Sequence, residues 1–194
     1  VVRSAIEARD LTKIFYSKER KGLFRRNIRR KIIAVNHINL SVFRGEIFGL
    51  LGPNGAGKTT TIKMLSTLLL PDEGEAWVNG YSIIREPNKV RENIGVSLYS
   101  DRGFYWKLTG RENLRFFAYL FLDPMSARKV RELILDLKKE GKTILLTTHN
   151  MEEADALCDR LAIINKGKII ALGTPSELKL MIKKRSDSYR GYKC

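Results

Sequence analysis

Residues 45–60 read Gly-Glu-Ile-Phe-Gly-Leu-Leu-Gly-Pro-Asn-Gly-Ala-Gly-Lys-Thr-Thr, and this stretch decides the fold. An apolar run, Ile47–Leu51, has strand length and enters a loop that satisfies G-x-x-x-x-G-K-[ST] at Gly52–Thr59. A helical pattern follows at once. Gly52, Gly55 and Gly57 let the backbone curl, so that successive N–H groups face inward on phosphate oxygens. The helix behind them aims its positive end at the same point. Lys58 supplies a mobile cation for the β- and γ-phosphates, Thr59 a hydroxyl for Mg²⁺, and Thr60 a further donor. Pro53, Asn54 and Ala56 complete the loop. The sequence thus presents a phosphate cradle between a strand and a helix.

Working outward, strands and helices alternate. Strands are expected at Ala5–Leu11, Ile32–Val42, Ile47–Leu51, Ile94–Leu98, Thr143–Thr147, Leu161–Ile164 and Ile169–Leu172. Helices are expected at Lys58–Leu69, Arg111–Leu120, Ser126–Lys139, Met151–Leu157 and Pro175–Lys183. Val130, Leu133, Ile134 and Leu137 keep helical spacing. Thr174, Pro175 and Glu177 form a capping box, and Asn150 with Glu153 offers a similar start. Gly167 marks a tight hairpin between the last two strands. The alternation predicts an α/β fold with a mainly parallel sheet.

The chain has 194 residues, 36 Lys plus Arg and 21 Asp plus Glu, for a net charge of +15. That balance invites nucleic acid, but its distribution argues otherwise. Lys18–Lys31 holds eight basic residues against one acid, and Lys179–Cys194 six against one. The rest is near neutral. The first segment reads as an exposed basic hairpin or loop that meets water or anionic lipid, and the second as a tail. Two cysteines, Cys158 and Cys194, exclude a disulfide scaffold. Cys158 reads as small core filler, His37 as structural, and Asp155 and Asp159 as surface or capping groups. No run reaches the length of a membrane helix or a signal peptide. Val1 in place of Met leads us to expect residues upstream.

Two stretches, GEIFGLLGPNGAGKTTTIKMLSTLLLPDEGEAWVNG (45–80) and TILLTTHNMEEADALCDRLAIINKGKIIALGTP (143–175), resemble the ATP-binding subunit of an ABC transporter. The second is similar to the export-type branch. The resemblance implies a P-loop NTPase sheet with flanking helices and an antiparallel edge. It assigns residues 1–183 to a nucleotide-binding domain and 184–194 to a basic tail. It implies ATP and Mg²⁺ as ligands, with a membrane subunit and a second nucleotide-binding subunit as partners; the near-neutral body argues for no nucleic acid. It places the chain peripherally on the cytoplasmic face of the membrane. Gly52–Thr60 matches its phosphate loop. Phe15, or Tyr16, matches the aromatic that stacks on adenine, with core packing as the other reading. His149 matches the switch histidine, which binds the γ-phosphate and orients water.

Three departures bear on mechanism. The family's glutamine after an Ile-Gly-Val strand is absent; Tyr99 and Ser100 stand there, followed by Phe104, Tyr105 and Trp106, read either as a docking surface or as local core. The signature loop is absent, and Leu108-Thr-Gly-Arg-Glu lies in the wrong place for it; Thr109 reads as a cap and Glu112 as first turn. Phe116–Leu122 runs straight into Asp123-Pro124. Asp123 is either the second, inter-subunit loop's aspartate or the Walker B aspartate that helps hold Mg²⁺; in both readings Pro124 replaces the glutamate that polarises water. Several dozen family residues are therefore missing near 120–123. The resemblance puts in that gap most of the helical subdomain and a central strand beside the P-loop strand, for which Phe116–Leu122 is a candidate replacement. The expectation is ATP binding with very slow or no hydrolysis. The alternatives are a non-hydrolysing regulatory partner and a degenerate remnant.

Overall fold

A computed structural model describes residues 4–21, 26–96 and 124–181. The chain opens with two 18-residue strands, β1 (Ser4–Lys21) and β2 (Arg26–Phe43). Then come β3 (Ile47–Leu51), α1 (Lys58–Leu65), β4 (Glu73–Val78), β5 (Tyr81–Ser82) and α2 (Pro87–Glu92). After the undescribed stretch follow α3 (Pro124–Lys139), β6 (Ile144–Thr148), α4 (Met151–Leu157), β7 (Arg160–Asn165) and β8 (Lys168–Gly173). A last helix, α5, occupies 175–181 of the described residues.

Two four-stranded sheets result. One is antiparallel in the order β2-β1-β4-β5, and the other runs β6-β3-β7-β8. In the second sheet β3 pairs in parallel with both β6 and β7, and β8 closes it as an antiparallel edge. The expected P-loop sheet with an antiparallel edge is present. That sheet is mainly parallel, as expected, and the early strands form a second, antiparallel sheet with β4.

Every residue of β3 is buried, as a strand covered on both faces must be. Phe48 and Leu50 join the larger core with Leu11, Val35, Met64 and Ala76, from the antiparallel sheet and α1. Ile47 turns to the other face, with Leu161 of β7 and with Ala154, Cys158 and Leu178 from the helical side. The parallel sheet is thus the middle of three layers. Asp159, read as a surface or capping group, anchors this sheet: it accepts from the Ile47 N–H at 2.8 Å and from Lys138 Nζ at 2.5 Å.

Several boundaries move. β3 and α4 match their expected spans, while β1 and β2 run further into the basic segment, making it a strand ribbon. α1 stops at Leu65, short of Leu69, and α3 begins at Pro124. No strand forms at Ile94–Val96, and β4, β5 and α2 were not anticipated. β3 has parallel neighbours on both sides, β6 and β7, both of them strands expected from the sequence. Arg111–Leu120, Phe116–Leu122, Asp123 and the 184–194 tail lie outside the described residues.

Candidate functional site

The C-terminal ends of β3 and β6 lie side by side because the strands run parallel, in register from Ile47↔Ile144 to Leu51↔Thr148. Such an edge is where open α/β sheets bind ligands. β3 delivers Gly52–Gly57 there, and β6 delivers His149. The two are tied directly, since the Gly52 N–H donates to the Thr148 carbonyl at 3.3 Å.

The loop is held without being filled. Gly57 takes φ 108° and caps α1 with no side-chain hydrogen bond. Thr61 is the first helical residue whose N–H reaches a carbonyl, that of Gly57 at 2.9 Å. Among the described residues, the N–H groups of Gly57, Lys58, Thr59 and Thr60 have no protein acceptor. Orphan donors at a helix start make an anion site. A Cβ at Gly57 would strike the Ala34 carbonyl, and one at Gly52 the Ile164 carbonyl, so neither position has room for a side chain.

Lys58 Nζ donates to the carbonyls of Gly52 at 2.6 Å and Pro53 at 2.9 Å. Partial burial lowers its pKa from the ordinary lysine value. It is thus poised over the loop, held by neutral acceptors that an anion would outcompete. Thr61 is buried with its hydroxyl on the Gly57 carbonyl, whereas Thr59 is exposed. Of the three threonines, Thr61 alone has its hydroxyl engaged among the described residues, so exposed Thr59 can offer its own to a cation. The donor set fits a Mg²⁺-bound triphosphate in its phosphate half.

Other elements complete the wall. The hairpin turn after β7 packs on the loop, with the Gly167 N–H on the Ala56 carbonyl at 2.9 Å and the Asn36 N–H on the Gly167 carbonyl at 2.9 Å. Nothing in the Gly167 motif signalled that buttress. His149 is exposed, directly after β6. Its flanks are fixed: Asn150 caps α4 by accepting from the Glu152 N–H at 2.8 Å. Glu153 does not close a box on Asn150; it accepts from the Thr148 hydroxyl at 2.8 Å, and that hydroxyl accepts from the Asn150 N–H. Phe15 and Tyr16 are both exposed, on opposite faces of β1. Phe15 pairs with Ile32, two residues from the Ala34 that touches the loop, and Lys13 Nζ lies 5.8 Å from its ring centre. His37 is exposed near Glu73. Tyr99, Ser100, Phe104, Tyr105, Trp106, Thr109, Glu112 and Asp123 lie outside the described residues. Among the described residues no cluster of His, Cys, Asp or Glu would hold a metal.

The family model for ABC transporters matches residues 35–175. A fluoroquinolones export ATP-binding protein of Mycobacterium tuberculosis is 38% identical over 216 aligned positions, covering 81% of this chain and 71% of that one. That aligned span exceeds what this share of 194 residues can supply by several dozen positions. The probable multidrug ABC transporter ATP-binding protein YbhF of Escherichia coli is 33% identical, covering 91% of this chain and 38% of its own. Among solved structures, cbiO1 of Clostridium perfringens, part of the cbiONQ transporter complex, has TM-score 0.63 at 21% identity, over 93% and 94% of the two chains.

Proposed function

The chain belongs to the ABC transporter family, as one of its ATP-binding proteins, and from that premise we propose that it grips Mg-ATP at Gly52–Thr60 as a subunit of an export complex. The carrying observation is the open start of α1, four orphan N–H groups beside Lys58. Pro53, Asn54, Gly55 and Ala56 wrap the phosphates, Thr59 holds Mg²⁺, Phe15 offers its face to adenine and His149 meets the γ-phosphate. The bound metal neutralises phosphate charge; the chain's own residues bind and orient. The relatives' names point to drug-like cargo. A membrane subunit selects that cargo, a second nucleotide-binding subunit closes the ATP site, and the chain sits peripherally on the cytoplasmic face.

Hydrolysis is slow or absent in this reading. Pro124 stands where the water-polarising glutamate belongs, and the several dozen unmatched positions agree with a loss that includes the signature loop. A positioned base contributes roughly 10²–10⁴-fold in rate. The chain then acts as a non-hydrolysing partner that holds nucleotide for a complete subunit.

The test is a thermal melt with and without Mg-ATP, beside Lys58→Ala. Saturating ligand stabilises a binder by about 2.7 kcal/mol, which in a chain this size raises Tm by about 5–10 °C. Lys58→Ala should remove that rise, and EDTA should shrink it. A rise that Lys58→Ala leaves intact sinks the site. Turnover at ordinary enzyme rates sinks the non-hydrolysing reading.

A further inference from the structure

We infer that the outer half of the β1–β2 ribbon is a docking arm for an anionic lipid surface. The inference rests on the reading above only in supposing that the chain works beside a membrane.

The arm leaves the body at two defined points. β1 pairs with β4 only as far as Thr12, and its last tie to the body is the Ile14 N–H on Asp72 Oδ2 at 2.6 Å. β2 meets the body at Ala34, against Gly57 and Gly167. Beyond them the pairs Phe15↔Ile32 to Lys21↔Arg26 continue in unbroken register. Seven residues of strand reach about 20 Å.

A two-stranded ribbon is marginal in water, and like charges opposite each other weaken it further. This ribbon places Lys18 opposite Arg29 and Lys21 opposite Arg26. Its fourteen paired residues include seven basic ones and one acid, Glu19. So dense a run of positive charge suits an anionic surface. The base of the arm decides which anionic surface. Tyr16 is 68% exposed and Ile33 42%, on the face opposite the one that carries Phe15. An aromatic beside cations suits the headgroup boundary, and an isoleucine offers no face for stacking on bases, so lipid fits better than nucleic acid.

The test is co-sedimentation of the full chain with vesicles of phosphatidylcholine alone or containing phosphatidylglycerol. Anionic vesicles should bind at least about tenfold more tightly than neutral ones, with loss in high salt. The variant R20S/K21S/R26S/R29S should lose about tenfold while keeping a cooperative melt. Substituting the tail instead, K183S/K184S/R185S, should leave the greater part of the binding. No preference for anionic vesicles overturns the inference. So does binding lost only in the tail variant, or tighter binding to short duplex DNA than to vesicles. Lys58→Ala should bind vesicles like the parent chain; failure of the ATP melt with vesicle binding intact removes the nucleotide reading alone, and the converse removes the arm alone.

Discussion

Cys158 sits against Gly49, where a Cβ would press on its sulfur at 2.8 Å. Burial, with the Asp159 charge beside it, pushes this thiol up to about 12. The thiolate is the nucleophile, so the folded protein should leave Cys158 unlabelled by a thiol reagent near neutral pH, and denaturant should expose it. Cys194→Ser removes the second thiol from the readout. The sign for stability follows. The unfolded thiol ionises near pH 9 while the folded one stays protonated, so folding loses stability between about pH 9 and 12. Cys158→Ala should flatten alkaline melting over that window. Cys158 was legible as core filler because a small apolar residue between a helix and a strand has few other roles. Asp159, one position on, was not, because its partners are the Ile47 N–H and Lys138, distant in sequence. The phosphate loop was legible throughout, since its chemistry depends on glycine spacing, which is written in order along the chain.

Three helix starts in this protein are built differently, and the differences follow use. α5 carries a closed box, with the Thr174 N–H on Glu177 Oε2 at 2.7 Å and the Glu177 N–H on Thr174 Oγ1 at 3.3 Å. The Thr174 backbone bond holds the Glu177 carboxyl below its usual range. α4 starts on Asn150, and Asn150→Ala should cost about 1 kcal/mol, or about 2–4 °C in Tm. α1 alone among these three has no side-chain cap, and its donors stay open. At the root of the ribbon, the Ile14 backbone bond, aided by Lys13, holds Asp72 low. Its contribution is present above the unfolded carboxylate value and is lost as pH falls through the lowered folded one; Asp72→Asn should abolish that part of the acid sensitivity in melts across pH. β3 and α4 were legible because periodicity and capping are local. β4 was not, since Glu73-Gly-Glu carries poor strand formers and pairs only because β1 lies beside it. The expected strand near Ile94 lacks such a partner among the described residues.

At the scale of the whole molecule, one side chain joins the two sheets. The Arg160 guanidinium lies 3.1 Å from Glu46 and reaches the Ser41 carbonyl, with Phe43 and Phe48 rings at 4.6 and 5.4 Å. It binds β7 to the end of β2 and the start of β3. Arg160→Met leaves the largely buried Glu46 unpaired and should cost about 3–5 kcal/mol, read as a lower urea midpoint; adding Glu46→Gln should recover part of it. Neither residue stood out in the sequence, because a cross-sheet pair has no spacing to betray it. The net charge did carry a message, once its positions were read rather than its sum. The Ala34 carbonyl sits against Gly57 in the phosphate loop and close to Gly167 in the turn that braces it. That single peptide is a fulcrum. On one side stretches a long strand ribbon, on the other the few residues that would clasp a nucleotide. A load on the ribbon's far end should therefore be felt at the clasp.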